Sequence, residues 1–187
     1  MKSNLGRREA LSAVKENVAK GYVVNHMLAT EAIMRALAKR FGEDEEEWGL
    51  TGLLHDIDVE VTEGEPQAHS KLGADIAEEL GASRAVCHAI LCHNERHGVP
   101  CQTRLEKALF CTDPLTGLIT AAALVRPDRK LDGLTPDSLM KRFKEKRFAA
   151  GATREHIAQC QDIGLELEEF IALGLDAMKG IAPDLGL

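Results

Sequence analysis

Apolar residues recur along this chain at steps of three and four, and the pattern predicts helices in nearly every segment. Residues 7–20 carry Leu11, Val14 and Val18 on one side of an otherwise polar helix. Over 22–41 the stripe is Val23, His26, Thr30, Ile33, Leu37 and Phe41, and Gly42 is placed to end it in a left-handed turn. Glu43 to Glu47 then bring negative charge to the next helix N-terminus, where the backbone dipole favours it. That helix carries Trp48, Leu50, Leu53 and Leu54 up to His55 and Asp56.

Val59 to Thr62 is too short to establish a sheet, and Gly64-Glu65-Pro66 reads as a turn. Helix is expected again over 67–80, closed by Gly81, and from a Ser83 cap to His93. Gly98-Val99-Pro100 breaks the chain before a helix from Thr103 to Asp113. Pro114 has no backbone N–H and pushes its predecessor out of helical geometry. A kink aiming Asp113 away from the helix wall is therefore expected, with helix resuming over 115–125. Pro127, Asp128, Asp132, Gly133 and Pro136 mark a boundary, followed by a basic helix at 137–147 and a long amphipathic helix at 154–179. The fold class is all-α, with a helical domain over 1–126 and a C-terminal helical extension over 127–187 packed on it.

A chain of 187 residues with 44% hydrophobic residues can bury one substantial core. Its net charge of -7 argues against a broad nucleic-acid-binding surface, so no nucleic-acid partner is expected. A small anionic substrate stays open, because a local cation outweighs global charge over short distances. No apolar run approaches the ~20 residues that span a bilayer, and the start, Met1 to Arg8, does not read as a signal peptide. Five irregularly spaced cysteines fit free thiols better than a disulfide framework. A cytoplasmic protein with no membrane partner is expected, and a homo-oligomer stays open.

Candidate chemistry centres on Leu53-Leu54-His55-Asp56, where two metal-ligating side chains end an apolar run. A buried carboxylate needs a cation or strong hydrogen bonds to keep its charge. Singly, each candidate has a plain structural reading. His26 suits a hydrogen-bonded core histidine, Asp56 a helix end, and Asp113-Pro114 a turn. Together two imidazoles and two carboxylates make a nitrogen and oxygen set suited to a divalent transition metal.

The order His26, His55-Asp56, Asp113 resembles the signature of the HD-domain metal-dependent phosphohydrolases, over about residues 20 to 120. His69-Ser70-Lys71-Leu72-Gly73-Ala74 and Ala89-Ile90-Leu91-Cys92-His93 look like that family's continuation. The resemblance implies an HD-type helical bundle in which His26, His55, Asp56 and Asp113 hold one divalent ion. In the two-ion branches, positions matching His69 and His93 hold a second ion that shares Asp56. The ion could be Mn, Fe, Co, Ni, Zn or Mg. The implied activity is hydrolysis of a small phosphate ester or anhydride, with a nucleotide as the preferred substrate. Absence of GxSxG and GxxxxGK[ST] argues against serine-hydrolase and P-loop chemistry. Many relatives read His-Asp-Ile-Gly, whereas this chain reads His55-Asp56-Ile57-Asp58. Asp58 and Lys107 are candidates beside Asp56 for proton transfer or phosphate binding, against the plain reading of solvated turn and helix-face residues.

Two other readings compete. Cys87, His88, Cys92, His93, His97 and Cys101 are dense enough to resemble a structural zinc cluster. Cys87 and Cys92, five apart, do not share a helix face, and CxxC pairs are missing. The second is a non-catalytic module that binds metal and nucleotide and signals to a protein partner. Lys141, Arg142, Lys144, Lys146 and Arg147 would then be a docking face or, more plainly, a wet helix surface.

Overall fold

A computed structural model describes residues 3–187. Met1 and Lys2, the first two residues of the stretch read above as no signal peptide, lie outside the described residues. The described residues form helices and turns with no strand, as the periodicity predicts. No helix among them is long and apolar enough to cross a membrane.

The helices that position the site are α1 (Arg7–Asn17), α2 (Gly21–Phe41), α3 (Glu45–Leu54), α4 (Lys71–Glu79), α5 (Arg84–His93) and α6 (Arg104–Leu124). Behind them come α7 (Pro136–Lys144), α8 (Arg154–Ala158), α9 (Leu167–Gly180) and α10 (Ala182–Leu185). Short 3-10 turns cover Glu95–His97 and Gln159–Ile163.

The two longest helices, α2 and α6, are the axis of the molecule. Ile33 and Leu37 of α2 meet Leu115 and Ile119 of α6 in a core completed by Phe170, Ile171 and Leu175 of α9. The segment after residue 126 thus packs into the same apolar interior as α2 and α6. Met27, nearly two turns before Ile33 on α2, belongs to a second cluster with Val14, Leu53, Leu54, Ile57, Ala77 and Ile90, which joins α1 and α3 to α5. Close approach of α3 to α2 depends on Gly52. A Cβ there would stand 2.8 Å from the backbone of Thr30 and Glu31. Buried Glu31 takes Arg7 at 2.6 Å and Arg35 at 2.9 Å, which ties α1 to α2.

Local signals at several helix ends act as expected. Gly42 sits at φ 71° and closes α2. Asp44 caps α3 through the Glu46 and Glu47 amides. Ser83 accepts from the Val86 amide at the start of α5.

Other boundaries differ for identifiable reasons. Helix α1 stops at Asn17 instead of 20, and the basic helix runs over 136–144 instead of 137–147, ending where Glu145 becomes extended. The stretch expected as helix from 67 begins only at Lys71. Ser70 takes a left-handed φ of 72°, while its amide and that of Gly73 donate to the distant Asp58 carboxylate. The 154–179 helix is broken: α8 tightens into the 3-10 turn, Gly164 at φ 85° reverses the chain, and Glu166 is extended before α9.

Pro114 neither ends nor interrupts α6, which runs unbroken from 104 to 124. The missing N–H leaves the Phe110 carbonyl without its helical donor. Leu109, Leu115, Leu118 and Ile119 are fully buried around the proline, and their packing outweighs that loss. Asp113 therefore projects from within a continuous helix and not from a helix end.

Candidate metal centre

Two triads of ligand atoms converge at the centre, each with its atoms within 4.8 Å of one another: His26, His55 and Asp113, and Asp56, His69 and His93. They come from α2, from the end of α3 and the turn after it, from the residue before Ser70, from the last position of α5, and from the middle of α6. The six expected ligands are thus brought together, and Asp56 stands between the triads. Its Oδ2 lies 3.6 Å from Nε2 of His26 and 3.5 Å from Nε2 of His55. Its Oδ1 lies 3.5 Å from Nε2 of both His69 and His93. Asp113 Oδ1 is 3.1 Å from His26 Nε2 and 3.9 Å from His55 Nε2.

The other nitrogen of each ring explains why all four point this way. His55 caps the C-terminus of α3, where the last carbonyls have no helical donor, and its Nδ1 donates to the Gly52 carbonyl at 2.8 Å. His93 repeats that arrangement at the end of α5, donating from Nδ1 to the Ile90 carbonyl at 2.6 Å. His69 Nδ1 meets the acceptor-only carboxylate of Asp58 at 3.0 Å. Thr116 Oγ1 gives its single proton to the Asp113 carbonyl at 2.7 Å, so at 2.8 Å it accepts from His26 Nδ1. In a neutral ring a proton on Nδ1 leaves a bare lone pair on Nε2.

Four such lone pairs therefore face two carboxylates. His26 and His55 bring their Nε2 atoms to 3.1 Å of each other. Acceptors facing acceptors are repulsive unless a cation or a proton lies between them. Orienting each metal-binding imidazole through its far nitrogen is what a divalent ion requires of its surroundings. The residues present fit one ion per triad.

Protonation in the metal-free chain shows the same strain. Burial resists charge on His26, but its hydrogen bond to Asp113 and the fields of Asp113 and Asp56 prevail and raise it. Burial likewise opposes His93, which Asp56 nevertheless lifts to about 9. His55, fully buried, is lowered by that burial. Burial also works against charge on Asp56 and Asp113, yet the surrounding imidazoles hold Asp56 well below the ordinary carboxylate range and lower Asp113 too.

Two expected participants have contacts of their own. Asp58 is fully buried, and its carboxylate is occupied by the Ser70 amide at 2.7 Å, the Gly73 amide at 2.9 Å and His69. It holds His69 and caps the start of α4, contacts that suit a positioning role. Lys107 lines a separate cavity of about 340 Å³ with Cys92, Cys101, Phe110 and Asp162. It sits near the start of α6, before Asp113 on the same helix.

Thr116 and the Gly52 and Ile90 carbonyls were not foreseen. The carbonyls had a usable signal, since a histidine ending a helix finds a free acceptor three residues back. Thr116 had none, because its partner is 90 residues away. His97, counted above with the cysteine-rich set, instead meets the His69 carbonyl at 2.6 Å and helps fix that loop.

An all-helical bundle presenting histidine and aspartate ligands in the order His26, His55-Asp56, Asp113 defines a class of metal-binding helical domain. Residues 23–121, more than half of the chain, match the HD domain, and the chain belongs to that family. It is similar to Ribonuclease Y of Oleidesulfovibrio alaskensis, 33% identical over 95 residues, which are 51% of this chain and 18% of that protein. Ribonuclease Y of Lawsonia intracellularis is 29% identical over 129 residues, 69% of this chain and 23% of that one. Ribonuclease Y of Geobacter metallireducens is 28% identical over 184 residues, 97% of this chain and 34% of that one. The matched chain thus spans at most about a third of the length of these relatives. No solved structure matches it.

Proposed function

We propose that this chain is a metal-dependent phosphohydrolase acting on a small phosphate ester or anhydride, with a nucleotide as the preferred substrate class. The observation that carries the reading is the convergence of four Nε2 atoms on the two oxygens of Asp56. One imidazole pair faces each oxygen. Asp56 would bridge two ions, with His26, His55 and Asp113 on one side and His69 and His93 on the other. Bound divalent ions would supply a water acidic enough to ionise near neutral pH and positive charge for phosphoryl oxygens.

The chain's own residues do the rest. Thr116, Gly52, Ile90 and Asp58 hold the four imidazoles in the required tautomer. Asp113 and Asp56 keep their negative charge under burial, as ligation requires. Cavities flank the centre on both sides and share Tyr22. One, of about 560 Å³, runs from His26 along Tyr22, Asn25, Ala121, Leu124 and Leu185. The other, of about 380 Å³, runs from His69 along Lys20, Val59 and Pro66. The first is mostly apolar and within the size range of small-molecule sites, so it suits a base or other flat group attached to a phosphate held at the centre.

A specific observation favours a second substrate. The relatives are named as ribonucleases, which brings RNA back as a candidate despite the net charge of -7. A third reading, a module that binds nucleotide without turnover, shares the same centre. The discriminating experiment gives purified protein Mn, Co, Ni or Mg and assays it against nucleoside monophosphates, cyclic nucleotides, dinucleoside polyphosphates and short RNA. Turnover of a nucleotide that disappears in Asp56→Asn supports the proposal. RNA cleavage alone favours the second reading, and nucleotide binding without turnover under every metal favours the third.

A further inference from the structure

Away from the centre, three donors of different kinds converge between α5 and α6: His88, Cys92 and Glu106, with ligand atoms within 4.8 Å of one another. His88 and Cys92 are four apart on α5 and so share a face, which the pairing of Cys87 with Cys92 does not. Glu106 stands in the first turn of α6 and is buried. Its two oxygens have separate tasks. Oε2 accepts from the Gln102 and Thr103 amides at 2.6 and 3.0 Å, while Oε1 turns to His88 Nδ1 at 2.9 Å. Cys101, in the loop before α6, has its thiol 3.7 Å from the Cys92 carbonyl.

We propose that His88 Nδ1, Cys92 Sγ and Glu106 Oε1 form a separate structural site for a borderline-soft divalent cation, zinc by preference, that ties α5 to α6, with Cys101 Sγ, which is not part of that 4.8 Å group, moving in from its loop as the fourth ligand. Zinc accepts this mixture of imidazole, thiolate and carboxylate in tetrahedral sites. The spacing supports it. Zinc bonds of ~2.05 Å to nitrogen and ~2.3 Å to sulfur at a tetrahedral angle place those two atoms ~3.6 Å apart. Cys92 Sγ and His88 Nδ1 are 3.6 Å apart. The nitrogen and oxygen pair would have to open from 2.9 Å to ~3.3 Å, a shift the half-exposed His88 ring can absorb.

Binding would expel the thiol protons to solvent, which makes it favour higher pH. The site shares α5 with His93, the residue after Cys92, so holding α5 against α6 also fixes one end of the central cluster.

Cobalt(II) titration of the full chain under reducing conditions separates the two sites, because the central cluster contains no sulfur. The expected result is a thiolate-to-cobalt charge-transfer band in the near ultraviolet that saturates at one thiolate-bound ion per chain. It should disappear in Cys92→Ser, weaken in Cys101→Ser and Glu106→Gln, and persist in Cys87→Ser and Asp56→Asn. Far-ultraviolet circular dichroism confirms that each variant is folded. If Cys92→Ser does not fold, the Cys101→Ser and Glu106→Gln spectra decide. Absence of the band in the unmodified chain at saturating cobalt overturns the proposal. So does an unchanged band in both Cys101→Ser and Glu106→Gln, or its loss in Cys87→Ser. Loss of hydrolysis in Asp56→Asn with the band intact would leave this site standing independently of the function proposed above.

Discussion

Thr116 Oγ1 lies 2.8 Å from Nδ1 of His26 and is committed as an acceptor by its own bond to the Asp113 carbonyl. A single hydroxyl on α6 thereby sets which nitrogen of an α2 histidine is free, and it is joined to the backbone of a second ligand. Thr116→Val keeps the shape and removes the acceptor. Metal affinity is expected to fall ~10–100-fold. Isothermal titration with manganese measures it, and an unchanged affinity would show that His26 is not oriented this way.

Asp58 differs in kind from Asp56 although two residues separate them. Asp58→Asn replaces one acceptor oxygen with a donor facing either an amide or His69, so stability should drop by ~1–3 kcal/mol. Urea unfolding checks the loss. Binding of the ion beside His69 and His93 should weaken more than binding beside His26 and His55.

Gly52 allows α3 to touch α2 and presents the carbonyl that orients His55. Gly52→Ala places a methyl group against the Thr30 backbone, and ~1–3 kcal/mol of destabilisation is expected from overpacking, together with reduced metal affinity. By contrast, Lys107→Met should leave turnover within about twofold, because Lys107 borders another cavity.

In the metal-free chain, Asp56 raises His93 to about 9 against the opposition of burial. The ordinary value is ~6.5, so the folded group binds its proton more tightly than the unfolded one. Stabilisation from this pair is fully present below ~6.5 and is lost as pH rises through about 9. Metal requires the same Nε2 bare, so its affinity should rise by up to about tenfold per pH unit up to about 9 and then level off. Urea unfolding in chelator and manganese titrations between pH 6 and 9.5 should therefore show opposite trends. Parallel trends would contradict the assignment.

Much of this architecture was legible in the sequence because the signals were local. Gly42, Asp44 and Ser83 mark helix ends through bonds made within a few residues. The six candidate ligands were legible through their order, which matches the pattern of the HD domain. The misreadings involve partners distant in sequence. Asp58 looked like an extra acid near the site because its partners at Ser70 and Gly73 come from the start of α4. Pro114 looked like a breaker because the packing that keeps α6 continuous comes from α2 and α9. The grouping of His88 and Cys92 with Glu106 was hidden because the capping role of Glu106 conceals its second oxygen.

Anomalous diffraction from crystals soaked in manganese tests the central claim most directly. Two peaks are expected, one bounded by His26, His55 and Asp113 and one by His69 and His93, with Asp56 reaching both. No peak at saturating manganese, with the four imidazoles instead bonded to the carboxylates through protons, would contradict it.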